Sequence, residues 1–445
     1  MKSESEMTLQ TRREFLRSTV LTGALTWTVP AFLANTFAAL QADAADRPTQ
    51  VTTGADGNIL VILQMAGGND GLNTIVPYSN DYYRRARSRI GIPQKDVLRI
   101  DDDLGFHPNL AGFKDLYDAG QLSIVQGVGY PNPNRSHFRS TEIWQTASDS
   151  DRIESRGWLG RYFDNTCHGC DPTVAVNVGR QMPQAFAAKT PKGISLENPQ
   201  SYRLMSAERG GKGGERSNED SHRKPNDPEV EMAENSGDTI GSLHGAVNHS
   251  GSALDFLERT ALDAQVSSDK IRSITSRVST KGDYPMSQLG NGLKLVAKLI
   301  GGGLPTRIFY VSQGGYDTHT NQANAHPRLL RDLGDSTKAF VADMKAQGNM
   351  SRVLVMTFSE FGRRVGENAS GGTDHGAAAP MFIVGEKIKA GLLGKYPSLA
   401  PADLFQGDLK YTVDFRTVYA GVLDQWLKTD SSAVLGKKFP VLPIV

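Results

Sequence analysis

The chain has 445 residues, with 49 Lys and Arg residues against 48 Asp and Glu residues, which gives a formal net charge of +1. A charge this balanced gives no electrostatic support for a nucleic-acid partner or an anionic membrane surface. Two cysteines are too few for a disulfide-built scaffold, and no apolar run of about 20 residues follows the N-terminal region, so no transmembrane segment is expected in the mature protein.

Residues 1–45 are predicted to be a twin-arginine signal peptide. The segment from Thr11 to Arg17 matches the twin-arginine export pattern, an apolar stretch runs from Val20 to Leu33, and Ala42 to Ala44 form a small-x-small cleavage signature. An amphipathic N-terminal helix is the alternative, but the three parts follow one another in the order that a signal requires. We therefore expect the twin-arginine export machinery as a partner and a periplasmic or extracellular mature protein.

The mature chain alternates short apolar segments with amphipathic segments of helical length. Near-continuous apolar, β-branched runs are typical of strands buried on both faces of a sheet. The alternation predicts an α/β fold with a mostly parallel sheet sandwiched by helices. The predicted strands are 59–63, 122–125, 173–176, 307–311, 353–357 and 381–384, and the predicted helices are 109–119, 138–147, 254–278, 287–299, 325–346 and 415–426.

Residues 46–445 are predicted to form one domain that carries a flexible polar insertion near 206–250. The insertion is Gly-rich and charged, so it cannot bury much apolar surface. A loop of this length in a compact domain is either functional or disordered.

Cys167 and Cys170 form a Cys-x-x-Cys pair, and the nearby Gly169 and Pro172 favour a loop. A local disulfide formed after export is the preferred interpretation. Half of a zinc site is the alternative, although no second cysteine pair completes it.

Polar clusters follow four of the predicted strands, and a fifth cluster precedes the last of them. Ligands of parallel α/β sheets bind beyond the carboxyl ends of the strands, so these clusters are expected to converge at one edge. The clusters are 67–74, 129–140, 312–319, 358–363 and 371–376.

The residue types in these clusters are those of a metal site with an anion-binding element. Carboxylates with two imidazoles suit Zn²⁺ or Mn²⁺, whereas a carboxylate-only set suits Mg²⁺ or Ca²⁺. Ser136 is placed at a helix start, where unpaired N–H groups favour an anion. The candidate metal ligands are Asp70, Asp317, His319, Glu360, Asp374 and His375, and the arginines that could grip an oxyanion are Arg135, Arg139 and Arg363.

Each of these residues also has a purely structural interpretation. Asp70 lies in an Asn-Asp-Gly sequence typical of a tight turn, and Ser136 suits a helix N-cap. Asp317 and His319 could pair within a loop, and Glu360 could pair with Arg363. The placement of the clusters at one sheet edge favours the joint, functional interpretation.

The chain resembles the bacterial family called domain of unknown function 1501, which is placed among the alkaline-phosphatase-like proteins. The segments that carry the resemblance are Leu63–Thr74, Gly127–Phe138, Gly314–His319, Thr357–Arg363 and Gly372–Gly376. The resemblance implies an alkaline-phosphatase-like fold whose site has two metal positions flanking a Ser or Thr nucleophile.

The resemblance also implies a role for each matching residue. Asp70 resembles the carboxylate after the first strand, and Ser136 the nucleophile. Asp317 and His319 resemble an Asp-and-His pair that is usually spaced by four residues, and His375 resembles the final His ligand. Glu360 stands where Asp is usual and Phe361 where a His ligand is usual, which weakens the case for the second metal. Ser136 is not followed by the x-Pro-x-Arg sequence of formylglycine sulfatases, which are therefore disfavoured.

The first hypothesis is an exported, metal-dependent hydrolase of a small anionic ester of phosphate or sulfate. Ser136 would be the nucleophile, and Arg139 or Arg363 would stabilise the oxyanion. One divalent metal would be held by Asp70 and Glu360 and the other by Asp317, His319 and His375, with zinc or manganese favoured over magnesium or calcium. The alternatives are a non-catalytic binding or assembly protein on the same fold and, last, a metal-free Ser-His-Asp hydrolase, because no Gly-x-Ser-x-Gly elbow surrounds Ser136.

Overall fold

The computed structural model describes residues 57–167, 170–189, 193–197 and 270–445. The predicted signal peptide, the predicted polar insertion and the first part of the predicted helix 254–278 lie outside the described residues. The first two therefore stay predictions, and of the helix residues 270–277 are helical.

A nine-stranded mixed sheet forms the centre of the fold. Its strand order is β11-β5-β10-β9-β1-β8-β6-β7, and β12 pairs with β5. Strand β10 runs antiparallel to both β5 and β9, and the other pairings of this sheet are parallel. The strands are β1 Ile59–Met65, β5 Leu122–Gly129, β6 Ala175–Val178, β7 Ile194–Leu196, β8 Ile308–Gln313, β9 Val353–Phe358, β10 Ala379–Val384, β11 Gly391–Leu393 and β12 Val413–Asp414.

A second, three-stranded antiparallel sheet has the order β2-β4-β3. Its strands contain two residues each, which is too short for apolar periodicity to reveal them in the sequence. They are β2 Ile75–Val76, β3 Leu98–Arg99 and β4 Gly105–Phe106.

Helices cover both faces of the large sheet. All seven residues of β1 are buried, and their side chains alternate between two apolar clusters. Leu60 and Ile62 pack in one cluster, and Ile59, Val61 and Leu63 pack in the other. Each such buried side chain contributes roughly 1.5–3 kcal/mol. The helices are α1 Gly71–Thr74, α2 Asp81–Ala86, α3 Ala111–Asp118, α4 His137–Thr146, α5 Trp158–Thr166, α6 Gln288–Gly301, α7 Gln322–Ala346, α8 Phe415–Gly421 and α9 Ser431–Leu435.

The predicted α/β class, with a mostly parallel sheet sandwiched by helices, is confirmed. Each of the six predicted strands has a counterpart in the large sheet, and five predicted helices correspond to α3, α4, α6, α7 and α8. Helices on both faces explain why the strands read as continuous apolar runs.

The predicted start of the strand 173–176 is wrong. The predicted strand 173–176 begins with a 3-10 turn at Pro172–Val174, because Pro172 starts the turn and the Asp171 carboxylate accepts from the Thr173 N–H; strand β6 follows at Ala175. The predicted helix 415–426 has the predicted bounds, but it is α-helical only to Gly421 and continues as a π-helical turn at Val422–Trp426.

Cys167 and Cys170 form the local disulfide that the sequence predicts, with their Cα atoms 5.6 Å apart. This Cα separation is within the ordinary range for a disulfide. Among the described residues, no helix combines the length and the apolar character needed to cross a bilayer.

Candidate functional site

Five loops meet at one edge of the large sheet, as the positions of the polar clusters predict. Strands β1, β5, β8 and β9 run in the same direction, so the loops that follow them leave the sheet at the same edge. Strand β10 runs the opposite way, and its preceding loop, residues 371–376, therefore arrives at that same edge. The antiparallel strand thus explains why a polar cluster precedes β10 whereas the other clusters follow their strands.

Three imidazoles surround the carboxylate of Asp317. The Nε2 atoms of His319 and His375 both lie 3.1 Å from Asp317 Oδ1, and His137 Nε2 lies 3.4 Å from Asp317 Oδ2. The two Nε2 atoms of His319 and His375 are 2.9 Å apart. We refer to Asp317, His137, His319 and His375 as the histidine cluster.

The opposite nitrogen of each imidazole is held by an oxygen atom. His137 Nδ1 lies 2.8 Å from Glu360 Oε1, His375 Nδ1 lies 2.8 Å from the Arg135 carbonyl oxygen, and His319 Nδ1 lies 3.3 Å from an Asp374 oxygen. Both nitrogens of each ring therefore face oxygen acceptors, and the tautomer with its proton on Nδ1 leaves a lone pair on Nε2 for a ligand at the centre of the cluster. In that tautomer, three nitrogen lone pairs converge on one carboxylate.

Converging lone pairs around a negative charge repel one another unless a cation or a shared proton lies between them. Burial alone would raise the pKa of Asp317, but hydrogen bonds from Arg363 and His375 outweigh it and lower the pKa to about 2. Asp317 is therefore ionised at neutral pH.

The cluster residues fit a divalent metal. Ligand atoms of His137, Asp317 and His375 all lie within 4.8 Å of one another. Imidazoles whose Nδ1–H is held by an oxygen acceptor are the usual arrangement around protein-bound metals. A set of several imidazoles and one carboxylate suits zinc or manganese better than magnesium or calcium, which take oxygen ligands.

Glu360 lies behind His137 and orients that ring. Its Oε1 atom accepts a hydrogen bond from the Gly67 N–H at 2.8 Å and contacts His137 Nδ1. The residue is only 2% exposed, and its Oε2 atom has no hydrogen-bond partner among the described residues. The sequence predicts Glu360 as a metal ligand, whereas in the structure its carboxylate contacts and orients a histidine of the cluster.

Arg363 joins three of the loops. Its side chain is fully buried and donates to the carbonyl oxygens of Gly67, Gly68, Tyr316 and Thr373, and to Asp317 Oδ1 at 2.7 Å. Gly67 and Gly68 both have positive φ, and a Cβ on Gly67 would lie 2.4 Å from the Asp317 nitrogen. Arg363, predicted to grip an oxyanion, has its donors occupied by the protein itself.

Phe361 fills the space beside the histidine cluster where the family resemblance implies a further His ligand. Its ring is 1% exposed and lies 4.9 Å from the His137 ring and 4.5 Å from the His375 ring, between centroids. An apolar ring at this point offers no metal ligand.

Ser136 is exposed at the N-terminus of α4, directly before His137. Its hydroxyl does not cap the helix, while the Ser136 N–H donates to Asn134 Oδ1 at 2.8 Å. Arg139 lies in the first turn of α4 but donates to the carbonyl oxygens of residues 149, 150 and 152 and pairs with Glu142 at 2.8 Å. Ser136 is therefore beside the cluster in the chain, whereas the Arg139 guanidinium is used to hold a loop.

Asp70 has a separate set of partners. Its carboxylate is fully buried, pairs with the equally buried Arg87 at 2.5 Å and accepts from the Gln322 amide. Burial would raise the pKa of Asp70, but the Arg87 charge and hydrogen bond lower it below its usual value. The structure thus gathers Asp317, His319 and His375, places Glu360 one contact behind them, and engages Asp70 elsewhere.

His137 is the cluster residue that the sequence analysis did not select. It occupies the first helical position after Ser136, and the sequence pattern indicates a functional role for the N-cap serine without indicating one for the histidine that follows it. The sequence signal for His137 is its position near two candidate residues in the same loop. The orientation of its ring depends on Glu360, which is 223 residues away in the chain.

Two buried histidines near Asp70 predict acid sensitivity. Burial lowers the pKa of His107 to about 4 and of His326 to about 3, although the Asp70 charge opposes the shift in both. The unfolded chain binds these protons near its ordinary pKa of 6.5 and the folded chain does not, so the free energy of unfolding falls as pH drops from about 6.5 to about 4. Each histidine adds a slope of at most about 1.4 kcal/mol per pH unit.

Urea unfolding at several pH values between 7 and 4.5 measures this slope. His326→Gln removes one titrating group and is expected to flatten it, whatever its effect on the stability at pH 7. Equal slopes in the two proteins would contradict the prediction.

Comparison with known proteins identifies a family and several distant structural relatives. The family model described as "Protein of unknown function (DUF1501)" matches residues 58–439. No curated protein matches the chain in a search of such sequences.

Solved structures similar to this chain include three proteins of low sequence identity. The C-terminal periplasmic domain of EcEptC from Escherichia coli, in complex with Zn, is 11% identical, with 83% of this chain and 82% of that chain covered and a TM-score of 0.36. The PsFucS1 sulfatase from Pseudoalteromonas sp. is 10% identical, with coverages of 83% and 69% and a TM-score of 0.31. A protein in the alkaline phosphatase superfamily from Vibrio parahaemolyticus is 11% identical, with coverages of 82% and 72% and a TM-score of 0.31. Similarity at this level does not identify an activity.

Proposed function

The chain belongs to the family described as Protein of unknown function (DUF1501), and we propose that it is an exported, divalent-metal-dependent hydrolase of a small phosphate or sulfate ester with Ser136 as its nucleophile. The observation that carries the proposal is the convergence of three imidazole Nε2 atoms on the ionised carboxylate of Asp317. Such a set of electron-pair donors is suited to a cation, and a cation at an exposed loop edge is suited to an anionic substrate.

His137, His319, His375 and Asp317 would hold the metal. When bound, a divalent ion supplies Lewis-acid polarisation and neutralises the charge that develops on an ester oxygen. With a metal bound, Glu360 and Asp374 would accept the Nδ1–H of His137 and His319, which leaves Nε2 of each ring as the ligand. Arg363 fixes Asp317 and the surrounding loops, which limits the reorganisation of the site during the reaction.

In this proposal Ser136 attacks the bound ester. Its exposed hydroxyl has no hydrogen-bond partner within the described part of the chain, so no competing contact must be broken first. The first N–H groups of α4 lack partners within the helix and carry the positive end of the helix dipole. The His137 to Arg139 amides can therefore donate to the oxygens of the tetrahedral group that Ser136 attacks.

We propose one metal ion in place of the two that the family resemblance implies. Asp70 is neutralised by Arg87, and Phe361, which stands where the resemblance implies a His ligand, offers no electron-pair donor beside His375. The same two observations support the alternative function, a binding or assembly protein that has kept the fold without full catalytic power.

Ser136→Ala distinguishes the two functions. We expect hydrolysis of 4-nitrophenyl phosphate or 4-nitrophenyl sulfate by the metal-loaded protein, and a loss of kcat of about 10⁴-fold or more in the variant, because a nucleophile is removed. Release of 4-nitrophenolate is the measurement, and Ser398→Ala, at an exposed serine elsewhere, is the control. Equal rates in Ser136→Ala and wild type would exclude Ser136, and no turnover with a full metal load would favour the binding protein.

The export route is a separate proposal that rests on residues outside the described part of the chain. Arg12→Lys combined with Arg13→Lys keeps the charge but removes both guanidinium groups, so we expect the folded precursor to remain in the cytoplasm. Immunodetection in periplasmic and cytoplasmic fractions measures this, with Arg17→Lys as the matched control. Normal periplasmic recovery of the double variant would rule out twin-arginine export.

A further inference from the structure

Arg135 and Arg139 flank His137 in the chain, and Arg363 and Arg364 lie in the loop after β9; two of these four arginines are not fully engaged by the protein. Arg139 and Arg363 donate to backbone carbonyls and carboxylates, as described above. Arg135 and Arg364 instead share the single carboxylate of Asp408. Arg135 donates to Asp408 Oδ2 through Nε at 2.9 Å and Nη2 at 2.5 Å, whereas Arg364 Nε lies 3.7 Å from Asp408 Oδ1, beyond hydrogen-bond distance.

The charges of this trio do not balance. The Asp408 side chain is fully buried, while the Arg135 and Arg364 side chains are 33% and 40% exposed. Two guanidinium groups thus share the one buried carboxylate, and the charge of Arg364 also interacts with the carboxylate of Asp374, which is hydrogen-bonded to Asn368 and His319. Within the described ranges, no acceptor binds Arg135 Nη1 or either Nη atom of Arg364, and Asp408 Oδ1 has no hydrogen-bond partner.

Backbone contacts fix both arginines relative to the histidine cluster. The Arg135 carbonyl oxygen holds His375 Nδ1 at 2.8 Å, and the Arg364 N–H donates to the Asp374 carbonyl at 3.0 Å. A β-bridge also pairs Arg363 with His375, directly beside Arg364. The exposed guanidiniums are thus carried by the same short backbone segments that position the imidazoles.

We infer that Arg135 and Arg364 form a subsite for a second anionic group of the substrate, a carboxylate, phosphate or sulfate next to the ester that is cleaved. Guanidinium forks suit such oxyanions because two parallel N–H groups match two oxygens. The inference rests on the proposed function in that it calls the ligand a substrate. Binding of a doubly anionic ligand can nevertheless be measured without turnover.

The test is calorimetric titration of the intact, metal-loaded protein with methylphosphonate, which has one anionic group, and phosphonoacetate, which adds a carboxylate. We expect phosphonoacetate to bind the wild type about tenfold or more tightly than methylphosphonate, and Arg364→Gln to abolish most of this preference. Arg364→Lys should restore part of it, and raising the salt concentration should weaken it in the wild type. Arg84→Gln, which removes an exposed arginine paired with Asp81, is the matched control and should change nothing.

Arg135→Gln is the second variant, and it leaves the buried Asp408 without its hydrogen-bonded partner, so its melting temperature is measured alongside binding. Arg364 lacks that hydrogen bond, which makes Arg364→Gln informative even if Arg135→Gln unfolds. Retention of the phosphonoacetate preference in folded Arg364→Gln would overturn the subsite, because the arginines would then serve only Asp408. If the preference for phosphonoacetate depends on Arg364 but no ester is hydrolysed, the subsite is supported and the proposed hydrolase activity is refuted.

Discussion

His375→Ala is expected to release most of the divalent metal from the purified protein, and His319→Ala is expected to do the same. Their Nε2 atoms are 2.9 Å apart and 3.1 Å from the same Asp317 oxygen, so neither imidazole can be replaced by the other. The double variant should add little to either single loss, because both substitutions empty one site. Metal-to-protein ratios by plasma mass spectrometry measure this, after purification without chelators and after exposure to Zn²⁺, Mn²⁺, Mg²⁺ and Ca²⁺.

The control for these variants is His222→Ala, which replaces a histidine of the predicted polar insertion. Hydrolysis of the aryl ester should fall with the metal content in the cluster variants and remain unchanged in the control. Glu360→Gln provides an intermediate case, since it weakens the support of His137 Nδ1 and should reduce metal affinity by roughly 10- to 100-fold. If the wild-type protein binds none of the four ions, the metal site is refuted. A proton shared between the Nε2 atoms of His319 and His375 would then explain their short separation.

The location of the site was predictable from the sequence because it depends on local patterns. Apolar runs predict buried strands, and parallel strands bring the residues that follow them to one edge. Asp317 and His319 lie in one such loop and His375 in another, so their convergence required no knowledge of side-chain packing.

The individual contacts were not predictable in this way. His137 turns toward Asp317 because Glu360 holds its other nitrogen, and Arg363 becomes buried because three loops supply carbonyl oxygens to it. These partners are remote in sequence, and the choice among several polar residues in one loop is made by packing and desolvation. Sequence patterns therefore located the loops without distinguishing the histidine that joins the cluster from the serine before it.

The family resemblance and the structure lead to opposite predictions for Asp70. The resemblance implies a metal ligand, whereas the structure gives its carboxylate the buried guanidinium of Arg87 as a partner. Both side chains are fully buried, so removing one charge leaves the other without compensation in a low-dielectric environment. Asp70 therefore stabilises the loop that follows β1. Replacing Asp70 should not release metal from a site formed by Asp317 and three histidines.

Asp70→Asn is therefore expected to lower the free energy of unfolding by about 3–5 kcal/mol while leaving the metal-to-protein ratio unchanged. Urea unfolding and plasma mass spectrometry on the same preparations measure the two quantities. Arg87→Met should also destabilise the protein, and the double variant should lose less than the sum of the two single losses, because the unpaired charge is absent from it. Loss of metal from a folded Asp70→Asn protein would instead assign Asp70 to the metal site and restore the second metal position that the arrangement of Phe361 and Arg87 argues against.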